Sequence, residues 1–122
     1  MISTYDKFVR LLQLEIESLH DELEIILRSL DERLANHEIT EYVRNENHAV
    51  LRNELLGLED FVRTEFGVAE REGASLEEIE SEVKSYLRRR LTERDYVPAL
   101  YELVSRRIDK IVAYLRSPAP VA

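Results

Sequence analysis

The 122-residue sequence contains no cysteine. That excludes a disulfide, a thiolate nucleophile and a zinc–thiolate site, and a reducing, cytoplasmic setting is the expectation. Glycine and proline number 3 each, so turn signals are sparse and the elements must be few and long. The glycines stand alone at 57, 67 and 73, which leaves no glycine-rich phosphate loop. Long apolar runs are also missing. In the first thirty residues the longest is Ile25-Ile26-Leu27, far short of the ~18 residues of a spanning helix. Asp6, Lys7, Arg10, Glu15 and Glu17 interrupt what would be the apolar part of a leader, so neither a signal peptide nor membrane insertion is expected.

What is present is a globular composition with a charged exterior: 44% hydrophobic and 34% charged residues. The length matches one domain, expected over residues 1–116, with residues 117–122 as a frayed tail behind Pro118 and Pro120. The net charge of −8 is unevenly spread. Residues 1–83 hold 8 basic and 21 acidic side chains, whereas residues 84–122 hold 9 basic and 4 acidic. Two halves of one fold that attract each other explain this most simply, and a basic face for an acidic partner is the sharper alternative.

Apolar residues at spacings of three and four predict four helices. The first runs from Thr4 to Ala35, with Ser3 or Thr4 as its cap and the stripe Tyr5, Phe8, Leu12, Ile16, Leu19, Leu23, Ile26, Leu30 and Leu34. A short polar link ends at Thr40, a second cap. The second helix runs from Glu41 to Phe66 with Val43, Val50, Leu51, Leu55, Leu58, Phe61, Val62 and Phe66, and stops at Gly67. Ser75 and Glu78 form a capping box for a third helix ending near Glu93. Asp95 is the expected cap of the fourth, with Pro98 in its first turn. The fold expected is an all-α, antiparallel four-helix bundle: a long N-terminal helical hairpin followed by a shorter C-terminal one. Unequal hairpins leave part of the long pair uncovered, and that part must find another partner or be less apolar.

Three apolar residues of the first helix, Leu11, Leu14 and Ile25, fall nearly opposite its main stripe. They are candidates for a second buried contact, and a two-fold homodimer is the expected assembly. Two polar residues break the stripe of the second helix. Asn47 and Glu54, seven apart, sit near the middle of its apolar face. A buried carboxylate needs a partner, and in an antiparallel pair His20 lies about one turn from the level of Glu54. These three are candidate buried polar residues that set register or oligomeric state, as lone polar residues do in coiled coils. Gly57, at the stripe's edge, suits close backbone approach.

Sites of other chemistry are incomplete. Glu17 and His20 have the Glu-x-x-His spacing of carboxylate-bridged metal bundles, but the sequence has one such motif and 3 His in all. A dimer could double Glu17, His20 and Glu54 into a full set. His48, in Asn45-Glu46-Asn47-His48-Ala49-Val50-Leu51-Arg52, resembles the phospho-accepting histidine of phosphotransfer bundles over about ten residues. That family has Lys three and Gly four positions after the histidine, where this sequence has Leu51 and Arg52. Arg88, Arg89, Arg90, Arg94, Arg106 and Arg107 make the last hairpin basic. No groove-reading motif accompanies them, which argues against nucleic acid. They are expected to pair with the acidic half or with a second subunit.

Serines lack a histidine in a motif context, and carboxylate pairs such as Glu77-Glu78 have helix-surface spacing. The sequence therefore points to a non-enzymatic protein without cofactor or metal that acts through protein–protein association, as an oligomerising adaptor or regulator. The alternative is a histidine phosphotransfer or carboxylate/histidine metal-binding bundle.

Overall fold

The computed structural model describes residues 3–63, 73–96 and 98–117. They form four helices and no strand: α1 (Thr4–Ala35), α2 (Glu41–Arg63), α3 (Leu76–Glu93) and α4 (Pro98–Arg116). Phe66, Gly67 and Val97, and the tail from Pro118 onward, lie outside the described residues.

Each start follows from local chemistry. The Ser3 hydroxyl accepts from the Asp6 amide, and the Asp6 carboxylate accepts from the Ser3 amide, a complete capping box. Thr40 accepts from the Val43 amide at 3.2 Å. Ser75 accepts from the Glu78 amide at 3.1 Å, one half of the expected box.

Helices α1 and α3 end at Ala35 and Glu93 as expected, but each stop takes a form the sequence did not announce. His37 and Asp95 adopt left-handed backbone, with φ of 61° and 56°. Behind each, two amides close back onto the helix: His37 N to Leu34 O and Glu38 N to Arg33 O, then Asp95 N to Thr92 O and Tyr96 N to Leu91 O. This is the Schellman stop, in which a left-handed residue satisfies the last carbonyls, usually with glycine there. Asp95 thus terminates α3 rather than capping α4.

The helices pack as a bundle in which α1 runs against α2 and α4, and α3 against α4. Ion pairs fix the directions. His20 meets Glu59 and Asp31 meets Arg44, so α1 and α2 are antiparallel. Arg107 reaches Glu15 and Glu22, while Lys110, Ile111 and Tyr114 lie beside Leu11 and Leu14, so α4 descends along α1. The core joins all four stripes: Phe8, Leu12 and Ile16; Leu58 and Phe61; Ile79, Val83 and Leu87; Leu100, Val104 and Ile108. At Gly57 the chain comes close to Leu100 and to the Tyr96 ring, 3.3 Å from where a Cβ would sit. The expected role of Gly57 in close packing is thus seen, and it marks the level at which α3 turns into α4.

That level decides the molecule's shape. α3 and α4 have 18 and 19 residues, against 32 in α1 and 23 in α2. From about residue 52 of α2 to Glu41, the α1–α2 pair projects past α3 and α4 for roughly 16 Å at 1.5 Å per residue, with no other described residue against it. The lower half of the molecule is a four-helix bundle and the upper half a projecting pair.

Candidate association surface

The stripe of α2 is one seam with two environments. Val43, Asn47, Val50, Glu54, Leu58 and Phe61 follow one another at spacings of four and three, so they share a face. Below, Leu58 and Phe61 are buried under α3 and α4. Above, Val43 and Val50 are 39% and 45% exposed, and Ile26 on α1 is 46% exposed. All three were expected in the core. They are uncovered because α3 and α4 stop one or more turns short of them.

The same geometry corrects the reading of Asn47. It does sit on the inner face, but on the projecting part, so it is exposed rather than buried. Its Nδ2 donates to its own helix, to Val43 O at 2.8 Å. Glu54 lies lower on the seam and is 7% exposed. No hydrogen bond or ion pair reaches it among the described residues. Desolvation by burial pushes its carboxyl above the usual glutamate range.

His20 does not converge with Glu54, as the sequence had suggested. It is half-buried and bridges two carboxylates, Nδ1 to Glu24 at 3.2 Å and Nε2 to Glu59 at 3.1 Å. The level of α2 opposite His20 lies about one turn further along than an ideal antiparallel pair turning at residue 38 gives. His48 is half-buried on the projecting part of α2. Among the described residues, no group of three or more His, Asp and Glu side chains is arranged to hold a metal ion.

The three apolar residues opposite the α1 stripe separate. Leu11 is half-buried and packs onto the core. Leu14 and Ile25 are more than half exposed. Leu14 lines a shallow groove with Leu11, Glu15, Lys110, Ile111 and Tyr114, while Ile25 lies about 16 Å further along the helix at 1.5 Å per residue.

The arginines also divide. Arg107 donates to Glu15 at 3.1 Å and to Glu22 at 2.7 Å, clamping α4 to α1. Burial disfavours its charge, but the hydrogen bonds it donates to Glu22 and Glu15 prevail and hold the guanidinium more firmly protonated than usual. Arg90 donates to Asp60 at 3.1 Å, with Arg94 4.0 Å from the same carboxylate, joining α3 to α2. Arg88 stacks over the Tyr101 ring at 4.7 Å. Arg89 and Arg106 are exposed, with no ion pair among the described residues.

Sequence reasoning missed the identity of the exposed apolar face, taking Ile26, Val43 and Val50 as core. The unequal length of the helices had already implied an uncovered stretch of the long pair, but these residues were not assigned to it. Among the described residues no helix is long and apolar enough to cross a membrane. No family model matches this chain, and neither a curated protein nor a solved structure is significantly similar to it.

Proposed function

We propose that this chain is a non-enzymatic association module, an oligomerising adaptor or regulator that works through the projecting α1–α2 pair. One observation carries the reading. The seam Val43, Asn47, Val50, Glu54, Leu58, Phe61 is a single helical face whose lower half is core and whose upper half stands open. Exposed apolar side chains gathered on one side of the projecting pair, Val43 and Val50 with Ile26, are the kind of surface that marks an interaction site. The Cys-free composition suits a reducing, cytoplasmic setting.

Sedimentation equilibrium of the purified chain tests this. The expected species is heavier than the 14.3 kDa chain at high micromolar concentration. Val43→Glu with Val50→Glu, both on the open half, is expected to return it to the single-chain mass without loss of helicity. A wild-type protein that sediments as a single chain at that concentration sinks the proposal.

A further inference from the structure

The open face points to a specific occupant. We infer that it is covered by the same face of a second copy, in an antiparallel, two-fold interlock that continues the four-helix bundle through both molecules. The inference rests on the association reading above and adds its partner, direction and register.

The argument begins with shape. Below Gly57, the places opposite α1 and α2 are filled by α4 and α3. Above it no described residue occupies them. A two-fold axis perpendicular to the bundle, at the middle of the projecting part, carries the partner's α1 onto the place above α4 and its α2 onto the place above α3. Each molecule then fills the other's missing half. The same operation stacks helix ends of opposite polarity. The partner's α1 ends over the start of α4, and the partner's α2 starts over the end of α3, so their dipoles run head to tail.

Register follows from the seam. The projecting part of α2 runs from Glu41 to roughly residue 52, and Asn47 is at its middle. The axis therefore places Asn47 beside its own copy, with Val43 of each chain beside Val50 of the other. The only polar residue between the two valines then meets an identical amide, with a donor and an acceptor on each side. A lone asparagine in an apolar seam is a known means of fixing register and partner number.

Charge agrees at the ends. The α1–α2 tip, residues 31–41, carries Asp31, Glu32, Glu38 and Glu41 against Arg33; Arg44 holds Asp31 and Arg33 lies beside Glu38, which leaves Glu32 and Glu41 without an ion pair among the described residues. The turn from α3 to α4, residues 88–95, carries Arg88, Arg89, Arg90 and Arg94 against Glu93 and Asp95. The interlock brings each acidic tip onto the other chain's arginine-rich turn. Glu41 and Arg89 are exposed, and neither has an ion pair among the described residues. Size sets the strength. A face about 15 Å long and two helices of about 10 Å wide is smaller than the ~800 Å² per partner of a standard interface. Weak association, seen only at high protein concentration, is expected.

The absence of native cysteine makes single-cysteine cross-linking a clean test. Asn47→Cys is expected to form a disulfide-linked dimer under mild oxidation at least tenfold faster than Leu14→Cys or Ile25→Cys. Val43→Cys is expected to link to Val50→Cys in a mixture but not to itself, because the two copies of residue 43 are about 12 Å apart along the helix direction. All five positions are exposed, and circular dichroism checks that each variant is folded. Self-linking at residue 43 means parallel packing and overturns the inference, as does a faster reaction at Leu14. A dimer by sedimentation that gives no link at residue 47 overturns the interlock while leaving the association reading intact. A single-chain mass removes both.

Discussion

Gly57 shows how much one missing side chain decides. A Cβ there runs into the fully buried Leu100 and presses the Tyr96 ring. Gly57→Val is expected to lower stability by about 2 kcal/mol, since overpacking of a filled core typically costs about 1–3 kcal/mol and outweighs the gain in helix propensity. Urea unfolding at constant protein concentration measures it, and a variant as stable as the wild type refutes the close approach. The opposite substitution applies at His37. Left-handed backbone costs an L-residue about 1–2 kcal/mol, and glycine avoids it at a smaller entropic cost. His37→Gly is expected to raise the melting temperature by a few degrees, and a fall contradicts the reading of this stop. Glu54 gives a pH dependence. Its carboxyl is raised in the folded state by desolvation, so the folded chain binds the proton more tightly than the unfolded one. This contribution is lost as pH rises from the ordinary glutamate range through the raised value. Glu54→Gln is expected to stabilise the protein at neutral pH and to gain nothing below the ordinary range. An equal effect at both pH values counts against burial as the cause.

At the scale of helices, legibility was uneven for physical reasons. The α1 bounds follow from a stripe of nine apolar residues and a serine cap, both local. The ends of α1 and α3 fall at Ala35 and Glu93 as expected, but the form of the stop was not legible, because His37 and Asp95 rather than glycine take the left-handed position. Asn47 was placed on the correct face but given the wrong environment. A helical wheel reports direction, whereas burial depends on how far the neighbouring helices extend. The carboxylate partners of Arg90, Arg94 and Arg107 lie 30 to 92 residues away, at distances set by the helix register. Among them Arg107 is the strongest clamp, since its side chain is only 17% exposed and it bridges two carboxylates on α1. Arg107→Ala is expected to cost about 1–2 kcal/mol, in the range of charged hydrogen bonds. Arg116→Ala, which removes an exposed pair with Glu77, is expected to cost under about 0.5 kcal/mol. Parallel denaturant titrations compare them, and equal losses contradict a docking role specific to Arg107.

Taken whole, the molecule is a bundle that closes over half its length, and this sets what its stability depends on. The lower half buries all four stripes, whereas the upper half has two helices facing each other and open surface on the inner side. A two-helix pair is poorly stabilised by its own contacts, because one face of each helix remains in water. Anything that binds the folded chain and not the unfolded one stabilises it by mass action. If the open face is covered by a second copy, the melting temperature must rise with protein concentration. Between about 2 and 200 μM the gain is at most about 2.7 kcal/mol per mole of binding sites, the limit set by a hundredfold change in free partner. For a chain of this length that corresponds to an increase of several degrees. Val43→Glu with Val50→Glu is expected to melt near the wild-type temperature at the low concentration and to show no rise at the high one. Both side chains project from a surface that is already wet in the single chain, so the substitutions leave the four-helix core untouched. A double variant that melts far below the wild type at 2 μM places these valines in the fold of the single chain instead. A wild type whose melting temperature is independent of concentration shows that the open half of the bundle is not closed by its own kind.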